Sequence, residues 1–560
     1  MKKALILLLL GISLNAFSQG TQTEGISVSN LDVSNINPGI LANGDMFNTL
    51  DFTSRPYPST GNSAFEVPRG SGKHTIFAGA LWIGGKDQQN NLYVASQTYR
   101  QGTPHSDANN WPGPIGNIHN PSHTAKYDKL WKISKAEIQN HIANYNNSNY
   151  SMPQAIATWP GNGNTANGEA AKLAPFIDLN NDGIYSPTQG DYPKINGDQA
   201  IYLILNDNGN VKYPTSPSMH AEVHVMHYGY DNPNIAAIFN TLFTEYRIIN
   251  RGTINLQDFY AGIWIDFDLG NYGDDYVGCD TTQNRFFAYN ADNYDEDSII
   301  TIDPYNGQQQ VSYLNSYYGA NPPAQSVIFL DKKMSHFMYY YHDSNPYYGY
   351  PNRAAGYYNY LRGHWKIGQR LTYGGVGTDS LNAPANYMYP GNPVTGNGWS
   401  EMNNLTSSVT NVPGDRRGVG SIGPFNLNAG QELKFTVAYN YSRGSSNLNS
   451  LVTAAQDAQT VHNFFRNSVV SSTKSERIQQ TLKLFPNPAN DLLQIQLPDS
   501  FENKDAIIAI TDYTGRIVLK TKTAKANQNQ QLDISKLSKG IYQVTVTSEK
   551  QTITSKLVKL

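Results

Sequence analysis

The 560-residue sequence has a single cysteine, Cys279, so no disulfide within the chain can brace it. Charged residues make up only 15%, and the formal net charge is −3. The basic footprint that phosphate backbones demand is therefore missing, which excludes a nucleic-acid binder. Beyond the first few residues no apolar run is long enough to cross a bilayer, so no transmembrane segment is expected. There is no P-loop and no G-x-S-x-G elbow. Glycine (47), proline (29) and tyrosine (38) are abundant instead, and they point to a turn-rich β protein outside the cell. With one cysteine, stability outside the cell must come from core size, packing and bound ions. Cys279 itself reads as a small buried hydrophobe.

The first residues, "MKKALILLLLGISLNAFSQG", combine Lys2 and Lys3, an apolar run and small residues at Ala16 and Ser18. This is the pattern of a secretory signal peptide over 1–18, with cleavage expected between Ser18 and Gln19. The length calls for more than one core. Three soft blocks follow: a β-rich region at 19–170, a β-sandwich region with acidic loops at 171–300, and a Tyr/Gly/Asn-rich β region at 301–470 that ends in a helix. A polar linker at 471–480 leads to a last module, 481–560. The fold class is mostly β, a sandwich-rich multidomain body followed by a small Ig-like sandwich. "FTEYRIINRGTINLQDFYAGIWIDFD" reads as two alternating strands around a polar turn. Helices are expected at "SKAEIQNHIANY", where Ser134 and Glu137 form a capping box, and at "NSLVTAAQDAQTVHNFF".

The last eighty residues have their own texture. "LLQIQL" and "GIYQVTVT" alternate with period two, and turn chemistry such as "DYTGR", with Gly515, separates the runs. About seven short strands make a small sandwich. Pro486 and Pro488 fix φ and remove two N–H donors, so the first strand must end or bend there, while Gly540 admits a tight entry into the strand of Tyr542. The ordered set "LKLFPNPANDLLQI", "ITDYTGRIVLK", "LDISKLSKGIYQVTV" and "SKLVKL" resembles the type A C-terminal sorting domain of the type IX secretion system of Gram-negative bacteria. Leu484, Phe485, Pro486, Asn487, Pro488, Gly515, Gly540 and Tyr542 carry the likeness. The resemblance implies export in two steps, recognition by outer-membrane machinery, removal of the domain by a sortase-like protease, and release or attachment to surface lipopolysaccharide. Stretches of the body, such as "APFIDLNNDGIYSPTQGDYP", resemble uncharacterised proteins bearing the same domain, a likeness that brings no activity.

Three constellations in the body bear on chemistry. In "DLNNDGIYSPTQGD", Asp178, Asn180 and Asp182 occupy positions 1, 3 and 5 of a calcium-type loop, with Gly183 after them and the Ile184 carbonyl at position 7. Gln189 stands where a bidentate Glu is usual, and Asp191 is the expected substitute, so Ca²⁺ is the expected cofactor. In "WIDFDLGNYGDDYVGCD", Asp266 and Asp268 share a strand face ~7 Å apart. That spacing suits paired-carboxylate catalysis or, as the preferred reading, an ion site. "MHAEVHVMHY" supplies His220, Glu222 and His224 to one strand face, read as satisfied core residues before metal ligands. The Tyr-rich run around Tyr357, Tyr360 and Trp365 offers a glycan-stacking platform. Together these point to a non-enzymatic adhesion, matrix or glycan-binding protein at the surface. The alternative is a secreted hydrolase whose active site goes unrecognised.

Overall fold

Five antiparallel strands form one face of the body in a computed structural model. Their order is His336–Tyr340, Arg416–Leu427, Leu256–Phe267, Ile76–Lys86, Leu92–Ala95. Residues 25–476 are described apart from 50–61, 100–108, 118–120, 210–215, 303–306, 342–344 and 406–410. From 482 onward, 498–500, 502–503, 513–515, 525–528 and 549–550 are excepted. The signal-cleavage pair Ser18 and Gln19, and Gly515, lie outside the described residues. The chain divides into two compact units between Asn463 and Phe464.

A nine-stranded sheet supplies the second face of the body. Its order runs Asp275–Asp280, Arg285–Asn290, Ala324–Phe329, Glu432–Ser442, Thr241–Asn250, Ala221–Gly229, Gln199–Asn206, Trp111–Pro112, and Trp131–Ser134 also pairs with Gln199–Asn206. One apolar core joins the sheets. Ile201, Val223, Ile248 and Val437 come from the nine-stranded sheet, and Trp82, Ile263, Trp264 and Val419 from the five-stranded one. Both sheets draw strands from all three sequence blocks. The strands Thr241–Asn250 and Leu256–Phe267 form where the alternation places them, but they do not pair with each other. The polar turn between them carries the chain from one sheet to the other.

Helix Lys135–Asn144 starts at the expected capping box: Ser134 accepts from the Glu137 N–H, and the Glu137 carboxylate accepts from the Ser134 N–H at 2.8 Å. A thirty-residue helix, Asn447–Glu476, follows the last body strand. No helix among the described residues is long and apolar enough to cross a membrane.

The described residues of the second unit form seven strands in two sheets. Lys483–Phe485, Leu492–Gln496 and Asn529–Asp533 form one, and Ile517–Thr523, Ala506–Thr511, Gly540–Ser548 and Gln551–Lys559 the other. Its own core includes Leu493, Ile495, Ile508, Val544, Val546 and Leu557. Period two does the sorting here: Tyr542, Val544 and Val546 are buried, while Ile541, Gln543 and Thr547 face solvent. The first strand stops at Phe485, immediately before Pro486.

Candidate functional site

The loop 178–191 is closed at its base by the antiparallel pairing of Ile177 with Tyr192. Gly183 takes φ 79°, which lets the chain double back. Asp178 Oδ2 accepts from the Gly183 N–H (2.8 Å), Asn180 Oδ1 from Asp182 (3.2 Å) and Asp182 Oδ1 from Ile184 (2.8 Å). The Asn180 amide donates to Asp182 Oδ2 and Gln189 Oε1 at 2.9 and 2.6 Å, so side chains at positions 3, 5 and 12 meet. Asp178 Oδ1 is buried with no donor among the described residues, the environment a ligand oxygen for a hard cation would need. Asp191 is fully buried and braces the loop, because its two oxygens accept from the Leu179 and Ser186 N–H groups. The Ile184 side chain points to solvent.

The second acidic stretch sits where the sandwich turns a corner. The strand Leu256–Phe267 carries Asp266 opposite Arg417, and residues 268–274 then cross to Asp275–Asp280 at the edge of the other sheet. Asp266 and Asp268 are both buried, and an oxygen of each lies within 4.8 Å of the other and of an Asp415 oxygen. Arg417 serves Asp266 (Nε to Oδ1, 2.9 Å) and Asp415 (Nη1 to Oδ1, 2.6 Å), and Tyr99 donates to Asp266 Oδ2. Burial pushes Asp266 up to about 7 against the pull of Arg417. Burial, with repulsion from Asp266, holds Asp268 far above the usual carboxylate range. Sequence reasoning found the two strand carboxylates but missed Asp415, Arg417 and Tyr99, which come from distant segments and have no local spacing signal.

His220 precedes the strand Ala221–Gly229 and has φ 54°. Glu222 and His224 share a face as expected. His224 stands between the Tyr202 hydroxyl (2.5 Å) and Glu222 (2.9 Å), and Arg251 binds Glu222 at 2.7 Å. Burial alone would raise Glu222, but the His224 hydrogen bond and Arg251 hold it down at about 2. His227 is buried against the Thr244 hydroxyl, and burial lowers it to about 3. A histidine depressed below its unfolded value of 6.5 stabilises the fold fully above that pH and ceases to do so as pH falls toward 3. The loss attributable to His227 is on the order of 3 kcal/mol at pH 4. The melting-temperature gap between parent and His227→Gln should therefore narrow from pH 7.5 to pH 4; a gap constant across that range would contradict it.

Tyr357, Tyr360 and Trp365 are fully buried, which corrects the platform expectation. Tyr357 and Tyr360 lie on the helix Ala354–Leu361 and pack edge-on to Trp82 and stacked on Tyr340, and the Trp365 indole donates to the Gly377 carbonyl at 2.7 Å. No face of these rings is left for a sugar. Cys279 is buried too, and burial pushes its thiol up.

In the second unit, Phe485, Pro486, Asn487, Pro488 and Gly540 are exposed and Leu484 is half-buried. Asn487 clamps the terminal strand, donating to the Lys556 carbonyl (2.7 Å) and accepting from the Val558 N–H (2.9 Å). Tyr542 is buried, and its hydroxyl donates to the Ser538 carbonyl at 2.8 Å, a tyrosine-corner arrangement.

Residues 483–560 match the family described as the secretion system C-terminal sorting domain. The chain accordingly carries the address for type IX secretion to the cell surface or extracellular space. Among solved structures it is similar to a polysaccharide lyase (8% identity, 70% of this chain and 37% of that one, TM-score 0.17). It is also similar to dimeric latent PorU from Porphyromonas gingivalis (12% identity, 54% and 31%, TM-score 0.12). The chain thus spans about a third of the length of each, and overlaps this weak carry no argument about the body. No curated protein matches the chain.

Proposed function

We propose that the body, once outside, is a non-enzymatic binding, adhesion or surface-structural protein stabilised by calcium at residues 178–191. A sortase-like protease removes its tail, and the body is then released or joined to surface lipopolysaccharide. A glycan or matrix component is the ligand class. The observation that carries this reading is how one carboxylate in each acidic stretch, Asp266 and Asp191, is engaged. Asp266 is held by Arg417 and Tyr99, and both Asp191 oxygens are taken by backbone N–H groups, so neither carboxylate is free to act as acid or base. The chain from Gln19 onward should bind members of a glycan and matrix panel without converting them; turnover that disappears in Asp266→Asn would overturn the reading.

Asp178, Asn180 and Asp182 would hold the ion, which supplies positive charge to a loop otherwise tied by its own Asx turns. Ligand linkage at 100 times Kd is worth about 2.7 kcal/mol. Removing calcium with EDTA should thus lower the melting temperature of the body by several degrees, and Asp178→Ala should remove part of that response. An EDTA-insensitive transition would end the calcium proposal for this loop.

A second reading, a secreted hydrolase, has one observation in its favour. Tyr202 and His224, backed by Glu222, line a cavity of about 430 Å³ that also displays Lys172, Arg247 and Lys434. Turnover on the same panel that is lost in Tyr202→Phe would place chemistry there.

A further inference from the structure

Two chain segments converge on the corner of the sandwich where the Leu256–Phe267 strand leaves its sheet. Asp266 is the penultimate residue of that strand, Asp268 opens the crossover, and Asp415 precedes the neighbouring strand Arg416–Leu427. Their carboxylate oxygens lie mutually within 4.8 Å. Oxygens that share a calcium ion at about 2.4 Å can be at most ~4.8 Å apart, so the spread fits one coordination sphere.

The charges around this point do not balance. Arg417 is the one cation paired with the trio among the described residues, and it reaches Asp266 and Asp415. Asp268 is only 8% exposed, yet among the described residues its carboxylate has neither a hydrogen-bond donor nor an ion-pair partner, and it faces the other two. Beside it, Asp275 is wholly buried. Its Oδ2 accepts from the Leu269 N–H at 3.1 Å, while its Oδ1 has no donor among the described residues. Four carboxylates thus share one guanidinium of their own, that of Arg417. Buried carboxylates without partners cost several kcal/mol each unless something positive joins them. The Arg416 guanidinium close by acts on Asp275, but it is already paired with Glu401 at 2.8 Å.

We propose that this corner is a divalent-cation site of the calcium class, in which Asp266, Asp268 and Asp415 supply carboxylate oxygens and Asp275 adds a fourth negative charge. The ion ties the crossover 268–274 to the start of the strand Arg416–Leu427 and so fixes one end of the five-stranded sheet against the other sheet. The site goes beyond the loop at 178–191 and shares no residue with it.

The test separates the two sites. The chain from Gln19 onward, carrying Asp178→Ala and Asp182→Ala to disable the loop, is stripped of metal and titrated with CaCl₂ by calorimetry. One calcium is expected to bind, with a rise in melting temperature. Adding Asp268→Asn, which keeps shape and removes charge, should weaken binding by about tenfold or more. Asp415→Asn, at the half-buried rim, should do the same and serves if the first variant fails to fold. No calcium heat in the loop-disabled chain, or equal affinity in either corner variant that folds, would overturn the site. A corner variant that is more stable without calcium and binds none while its folded parent also binds none would show the acids simply share protons. Loss of the loop response with the corner response intact, or the reverse, tells which of the two proposals has failed.

Discussion

A chain ending at Glu476 should stay inside the cell, with its extracellular signal falling to background while the full chain is found outside. The second unit has a core of its own, including Leu493, Ile508, Val544, Val546 and Leu557, so it can present a folded address without help from body packing. Two further variants separate loss of the address from loss of the body. Val546→Asp places a charge in the fully buried centre of the small sandwich and should abolish export of the full-length chain, since burying an unpaired charge unfolds so small a core. Asn487→Ala removes one donor and one acceptor that hold the terminal strand, worth about 0.5–1.5 kcal/mol each, and should reduce export partially. Immunoblotting of culture supernatant and of protease-accessible surface material measures all three. Truncated chain recovered outside in the same proportion as full-length chain would sink the address assignment.

The tail was legible because its information is local. Each strand is a short period-two run, and three of the five strand pairings among its described residues join consecutive strands, as Gly540–Ser548 pairs with Gln551–Lys559. The helix after Ser134 was legible for the same reason, since a capping box is complete within four residues. The body hides more. Ile76–Lys86 pairs with Leu256–Phe267 across most of two hundred residues, and the alternation of either strand says nothing about its partner. The acidic corner follows suit: Asp266 and Asp268 are visible as a strand pair, but Arg417 lies 151 residues from Asp266 along the chain. Tyr357, Tyr360 and Trp365 failed as a surface reading because an aromatic residue with a polar tip serves a core equally well once the tip finds an acceptor. Tyr360 finds the Gly349 carbonyl at 2.8 Å. Composition gives no means of telling the two uses apart.

Breaking the Glu401–Arg416 pair should be the most damaging conservative change in the body. Both side chains are essentially without solvent contact, at 0% and 1% exposure. The Arg416 guanidinium donates through Nε to Glu401 Oε1 at 2.8 Å and through Nη2 to the Val412 carbonyl at 2.5 Å, and it lies 4.4 Å from the Tyr341 ring centroid. Glu401 Oε2 accepts from the Val277 N–H at 2.7 Å, so the pair links the edge strand of one sheet to the start of a strand in the other. Burial pushes Glu401 up while Arg416 pulls it back down, so without the arginine the carboxylate must be protonated or the region must open. Arg416→Met is therefore expected to cost about 3–5 kcal/mol, and Glu401→Leu, which strands the guanidinium, a similar amount. The double variant should cost less than the sum of the two, because an apolar pair of comparable volume removes both uncompensated charges at once. Denaturant unfolding of parent, singles and double gives the coupling directly. Single losses below about 1 kcal/mol, or strictly additive ones, would mean that the pair does not hold the two sheets together here.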